Sequence, residues 1–291
     1  MKIVNILTAT AVLVSTFMSC KKEVNDVQNL VDEPVTDAVL SYVDTSNLII
    51  HSNSQLKRLT AIKTDFNSNI GGYLLSKPAN YSKTNKDYPL LITLHGAGLC
   101  GNGRSELYKL TKNSIPRLIQ TDKFPKTVKV NGNSFSFIVI APQFKHKPSP
   151  QDINSLINHA IKKYRVNPSR IYLAGLSLGG GAVMNYAAEY PNKLAAIVPM
   201  AECTNPNSSK ARSIANGKLP VWAFHNKFDN VVPSHKTVNF VNMINNYSPK
   251  VPVKKTIFSA KGHNCWSRAT DPGYKHDNKN IYEWMLQFKK Q

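Results

Sequence analysis

The pentapeptide Gly175-Leu176-Ser177-Leu178-Gly179 constrains the fold more than any other stretch, because of what stands on either side of it. Before it, Arg170-Ile171-Tyr172-Leu173-Ala174 reads as an apolar strand; after it, residues 178–190 have helical spacing and stop at Pro191. The two flanking glycines let the chain turn sharply from strand to helix, which presents the serine in the open. Gly180, Gly181 and Ala182 extend the small surface on which the helix lies close to a sheet. The helix start adds unpaired N–H groups and the positive end of a dipole beneath the serine. The pattern alone arises by chance in roughly one chain in twenty, so the placement carries the argument.

The rest of the chain alternates in the same way. Residues 73–75, 89–94, 135–140, 195–200, 221–224 and 255–258 are strand-like. Helical spacing covers 150–164, with Ser149 as the cap, and recurs near 235–247 and 280–289. Near-continuous apolar strands separated by helices predict an α/β fold, a mainly parallel sheet covered on both faces. Apolar residues at 42% against 19% charged exclude a disordered or collagen-like polymer.

A serine presented this way needs an acid, a base and donors for a developing oxyanion. The Leu178 N–H is one donor, and the Gly-rich loop at Leu94-His95-Gly96-Ala97-Gly98 offers Ala97 as the second. His95 precedes the serine, and the chain order Ser, Asp, His makes it an organiser of that loop. Asp229, in the loop after the strand at 221–224, is the expected acid, with Glu202 as runner-up. Among the histidines that follow, His263 lies in a loop after the last strand and is the expected base, whereas His235 and His276 lie near helix starts. Trp266 either packs in the core or floors the pocket. No spacing of Cys or His suggests a metal site.

The N-terminus reads as an address. Residues 1–19 combine Lys2, a short apolar run and small residues before Cys20, the pattern of a secretory signal. Residues 20–54 form a largely disordered tether rich in acids, and residues 55–291 form the catalytic domain. The formal charge is +20, and residues 55–291 alone carry +23, which would draw in anionic partners. With Cys20 set aside, Cys100, Cys203 and Cys265 remain; packed free thiols are the first reading, and Cys203–Cys265 is the preferred pair for the alternative, a disulfide.

Together these stretches resemble the α/β-hydrolase superfamily, and within it the feruloyl and acetylxylan esterases and the poly(hydroxybutyrate)-depolymerase-like esterases. The resemblance rests on residues 91–98, 167–180, 224–229 and 262–266, with 138–143 in support. It implies a Ser177–His263–Asp229 triad, an oxyanion hole at Ala97 and Leu178, contacts to substrate from Gln143 and Trp266, and no cofactor. The family's His-Gly-x-x-Asp stands here as His225-Asn226-Lys227-Phe228-Asp229, with Asn226 expected to tolerate the positive φ of the missing glycine. Cys20 followed by two lysines resembles the lipobox of bacterial lipoproteins, which implies acylation of Cys20, a bilayer as partner, and a place in the bacterial cell envelope.

Residues 204–218 are short and polar, so no apolar lid domain is expected over the site. An uncapped site suits acetyl or feruloyl esters on a polysaccharide or oligosaccharide, handled by a monomer with no nucleic-acid partner. Lysines at 123, 126, 129, 145 and 147 would favour uronate-bearing chains or form an ordinary solvated face. Two other readings stand beside this one. One is a prolyl oligopeptidase-type serine peptidase, although no repeat array for a propeller precedes residue 55; the other is a binding lipoprotein without chemistry.

Overall fold

A computed structural model describes residues 56–251 and 253–290. The signal segment 1–19, Cys20 and the tether 20–54 lie outside the described residues. The sheet is built from β1 (Thr60–Asn67), β2 (Ile70–Ser76), β3 (Tyr88–Leu94), β6 (Ile138–Phe144), β7 (Val166–Leu176), β8 (Ala196–Met200), β9 (Trp222–Phe228) and β10 (Lys254–Lys261). A separate small hairpin pairs β4 (Val128–Val130) with β5 (Asn133–Phe135). The sheet order is β1-β2-β6-β3-β7-β8-β9-β10. The pairs β1–β2 and β2–β6 are antiparallel, and every pair from β6 to β10 is parallel.

Alternation along the central strands explains why both faces are covered. Leu90, Ile92 and Leu94 of β3 join one hydrophobic cluster, while Leu91 joins the other. Ile138 and Ile140 of β6 face the first cluster, and Val139 and Ala141 face the second. One layer contains α2 (Pro150–Lys163), α3 (Leu178–Glu189), α4 (Ser208–Asn216) and α5 (His235–Asn245), which bury their apolar stripes in the first cluster. The other is covered by α1 (Ser114–Gln120), α6 (Trp266–Ala269) and α7 (Ile281–Met285). Ser149 caps α2 in a reciprocal box with Asp152, as its sequence predicts.

Several boundaries differ from the sequence reading for identifiable reasons. The edge strand β1 alternates only weakly between half-buried and exposed positions, and its Lys63 and Asp65 hide it among loops. The run 135–140 is divided between two sheets, because Phe137 leaves the strand path to pack edge-on against Tyr172. The last helix ends at Met285 rather than continuing to 289. Beyond it, Arg170 donates to the Leu286 carbonyl at 2.8 Å and Tyr172 to the Phe288 carbonyl at 2.8 Å, so sheet side chains capture carbonyls that a longer helix would use. The polar segment 204–218 carries α4, whose Ala211, Ile214 and Ala215 are buried at helical spacing.

Candidate active site

At the carboxyl edge of the sheet β7 and β8 end level, with Leu176 beside Met200, while β9 continues past Phe224, the partner of Met200, to Phe228. Ser177 leaves that edge with φ 51° and ψ −119°, a conformation that a non-glycine residue holds only at a cost of ~1–3 kcal/mol. Two backbone bonds clamp it there: Ser177 N–H donates to the Met200 carbonyl and Gly181 N–H to the Ser177 carbonyl, each at 2.9 Å.

Gly179 shows why this turn needs a residue without a side chain. A Cβ at that position would lie 2.5 Å from the Leu94 carbonyl oxygen and 2.6 Å from that of His95. Both obstacles are backbone, so they cannot swing aside. Gly179→Ala is therefore expected to destabilise the protein by ~1–3 kcal/mol or more, read as a lower urea midpoint with an unchanged m value.

The loop after β3 lies against the turn: a Cβ on Gly96 would stand 3.4 Å from that of Ser177. Ala97 opens a single 3-10 turn, Ala97–Leu99, and Leu178 opens α3, so each N–H precedes the first bond of its own helix. His95 orders this loop from within. Its ring is buried, with Nε2 accepting from Phe144 N–H at 3.0 Å, so the proton sits on Nδ1, which donates to the Gly96 carbonyl at 2.7 Å.

Burial pushes the His95 pKa down from 6.5 to about 4, against a smaller opposing effect of the Gly96 bond. The unfolded chain therefore takes a proton more readily than the folded one. The resulting stability is intact above pH 6.5 and fades as the pH falls towards about 4, by as much as ~3 kcal/mol. His95→Gln should flatten that stretch of the stability–pH curve, measured as urea midpoints.

Asp229 receives four hydrogen bonds. Its Oδ1 accepts Val231 N–H at 2.8 Å and Val232 N–H at 3.0 Å. Its Oδ2 accepts His263 Nδ1–H at 2.7 Å and His225 Nε2–H at 3.1 Å. Burial opposes the charge of Asp229, but the bonds from His225 and His263 and then from the two N–H groups outweigh it, holding the carboxyl far below the usual carboxylate range.

With Nδ1 committed to Asp229, the lone pair of His263 lies on Nε2, which is shielded from solvent and has no hydrogen-bond partner among the described residues. The bond from Ser177 Oγ to that nitrogen is open in this arrangement, as such bonds often are before substrate arrives. Trp266 stands edge-on to the His263 ring, with centroids 5.2 Å apart and planes at 88°. His235 is exposed at the start of α5, and His276 packs near Trp222, 5.9 Å away by ring centroid. Neither is among the hydrogen-bond partners of Asp229.

Two expectations, for Gln143 and Asn226, need correction, and the disulfide alternative does not hold. Gln143 is fully buried and its amide is spent: Oε1 accepts Gly103 N–H at 2.9 Å, and Nε2 donates to the Leu99 and Glu106 carbonyls at 3.1 Å each. It shapes the loop 99–106 and has no group left for substrate. Cys203 and Cys265 are thiols rather than a disulfide. Cys265 is buried with its Sγ 3.5 Å from the Phe224 carbonyl, and burial pushes its pKa up to about 12. Asn226 has no positive φ. It lies within β9, and its amide donates to the Gly262 carbonyl at 2.8 Å, pinning the residue before His263.

Sequence reasoning also missed His225 as a partner of Asp229. The signal is the His-x-x-x-Asp spacing, which by itself describes only a turn. Glu202, the alternative acid, does not touch His263. Its Oε2 accepts Thr204 N–H at 2.8 Å, and its Oε1 accepts the Thr237 hydroxyl at 3.3 Å.

A mainly parallel sheet with helices on both faces, and a strained serine between its central strand and the next helix, define an α/β-hydrolase. Within that superfamily the chain belongs to the phospholipase/carboxylesterase family, whose profile matches residues 76–281. A curated relative, the bifunctional acetylxylan esterase/xylanase of Neocallimastix patriciarum, is 24% identical over 198 residues, which are 67% of this chain. The chain spans about a quarter of that relative's length, 26%. Among solved structures, a thermostable esterase superposes with a TM-score of 0.57 at 21% identity, covering 81% of this chain and 64% of that one. A mutant of the feruloyl esterase module from Clostridium thermocellum, complexed with sinapinate, gives a TM-score of 0.52 at 16% identity, covering 72% and 83%.

Proposed function

We propose that the protein is a serine carboxylic ester hydrolase that removes acetyl or feruloyl groups from polysaccharides or their fragments. The observation that carries this reading is the 2.7 Å bond from His263 Nδ1 to Asp229, which leaves the Nε2 lone pair free at the sheet edge where Ser177 turns. In this mechanism Nε2 takes the Ser177 proton as Oγ attacks the ester carbonyl. The N–H groups of Ala97 and Leu178 hold the oxyanion. His263 then protonates the leaving alcohol, and water releases the acid from the acyl-enzyme by the same route.

The choice of substrate is supported by the acetylxylan and feruloyl esterases that the chain resembles, and by two large apolar side chains near Asp229 in the chain. Phe228 is 52% exposed and Val231 is 56% exposed, and such surfaces suit a sugar ring or an aromatic acyl group. In the same proposal, diacylglycerol on Cys20 holds the enzyme at the bacterial envelope, since several acyl chains at ~0.8 kcal/mol per methylene retain a protein on a bilayer.

The test is a substrate panel of acetylated xylan, methyl ferulate, p-nitrophenyl acetate and short peptides, read by mass spectrometry. Ester turnover with fluorophosphonate labelling of Ser177 is the expected result. Peptide cleavage above ester turnover would move the reading to a serine peptidase. Folded protein that is inactive and unlabelled would leave a binding lipoprotein. Palmitate incorporation that survives Cys20→Ala would remove the anchor.

A further inference from the structure

Behind Asp229 a buried chain of polar groups continues away from the serine. His225 is completely buried, and its Nδ1 lies 2.8 Å from the Thr237 hydroxyl, which in turn lies 3.3 Å from Glu202 Oε1. Thr237 and Glu202 are each only 1% exposed. On the other side of the ring, Nε2 faces two acceptors and no donor: Asp229 Oδ2 at 3.1 Å and the Val232 carbonyl at 2.9 Å. An imidazole nitrogen between two acceptors carries its hydrogen.

We infer that His225 is a positioning residue of the site, which donates its Nε2–H to the same Asp229 oxygen that holds His263 and is locked in that role by Thr237 and Glu202. The inference rests on the esterase reading above for its kinetic test only.

Counting hydrogens shows how the lock works. The Thr237 hydroxyl has one hydrogen for two neighbours. If Glu202 is ionised, that hydrogen goes to Oε1, and Thr237 must accept Nδ1–H from His225, which is then an imidazolium. If Glu202 is protonated, its own hydrogen goes to Thr237, whose hydroxyl then donates to Nδ1 of a neutral ring. Passing from the first state to the second moves one proton from Nδ1 to Oγ1 and one from Oγ1 to Oε1, with no net change in charge. In both states Nε2 keeps its hydrogen and Asp229 keeps its donor. Burial raises the Glu202 pKa, against the bonds from Thr204 and Thr237, so the second state is accessible. Among the described residues, the titratable groups packed around this chain are Asp229, His263, Glu202 and the thiols of Cys203 and Cys265, and burial raises both thiol pKa values, so both stay neutral.

The shared oxygen sets the sign of the expected effect. A second donor on Oδ2 disperses charge that would otherwise stabilise the His263 imidazolium. Losing the His225 donor should loosen the carboxylate, lowering kcat, while making His263 a stronger base.

For His225→Phe, which keeps a ring and loses both nitrogens, kcat should fall by ~100-fold with KM within about twofold, while the acid limb of kcat/KM moves up by about half a unit or more. Thr237→Val removes the partner of Nδ1 and lets the ring drift from Asp229, although Nε2 keeps its hydrogen between its two acceptors; kcat should fall by about tenfold, and Thr237→Ser should recover most of that loss. A merely structural role would lower activity without raising the limb. An unchanged or lowered limb in both His225→Phe and Thr237→Val, or Thr237→Ser no better than Thr237→Val, would overturn the inference. NMR titration of the His263 ring in wild type and Thr237→Val needs no turnover: a raised value supports the inference and a lowered or unchanged one overturns it. An inactive wild type thus refutes the esterase reading separately.

Discussion

Replacing Ser177 by Ala is expected to lower kcat/KM by a factor on the order of 10⁵, leaving only the background that binding and the oxyanion donors supply. The fold should hardly notice. Alanine keeps the Cβ, so it meets the same backbone penalty at φ 51° as serine does, and the clamps to Met200 and Gly181 use only main-chain groups. The thermal midpoint should therefore move by no more than about 2 °C. Ser177→Gly separates strain from chemistry more sharply. It removes a conformational cost of ~1–3 kcal/mol and adds an entropic one of ~0.5–1 kcal/mol, so it should be equally inactive yet more stable. Turnover of p-nitrophenyl acetate by Ser177→Ala within about tenfold of wild type would show that another group attacks the ester. A drop in the Ser177→Gly midpoint would show that the turn is not strained.

The sheet was legible because its central strands are apolar on both faces, and glycine and proline mark where they end. Leu90 to Leu94 and Ile171 to Ala174 could hardly be anything but buried strands. The edge strand was not legible, since Lys63 and Asp65 interrupt its alternation and only pairing with β2 makes it a strand. The same contrast holds in the site. Ser177 and Asp229 announce themselves through local turns, and His263 through its place after the last strand. The roles of Gln143, Asn226 and His225 depend on partners that no local pattern encodes. Gln143 reaches loop groups 37 to 44 residues away, and Asn226 reaches Gly262 across 36. His225 was closer to view, four residues before Asp229, yet its second bond, to Thr237, depends on how α5 packs against β9. Side chains that hold loops are read from contacts, and one-dimensional patterns carry few of those.

Asp229→Asn should be the sharper test of the acid, because the carboxylate has four donors aimed at it and an amide can satisfy only half of them. If the amide oxygen faces the Val231 and Val232 N–H groups, its NH₂ points at both imidazoles. His263 can then keep a hydrogen bond only by giving up its Nδ1 hydrogen, which moves the proton to Nε2 and leaves no lone pair for the serine. The opposite flip sets the NH₂ against two backbone N–H groups that cannot change their protonation, so the inactive tautomer is the better of two poor choices. A loss of about 10⁴ in kcat with KM little changed is expected at neutral pH. Activity should recover partly at alkaline pH, where hydroxide can take the serine proton in place of the imidazole. Glu202→Gln should cost far less, since Glu202 acts through Thr237 and His225 and its replacement still offers an oxygen to Thr237. Steady-state kinetics on the two variants decides between the carboxylates. If Glu202→Gln proves the worse lesion while remaining folded, the acid of this site is Glu202 and the Asp229–His263 bond is only structural.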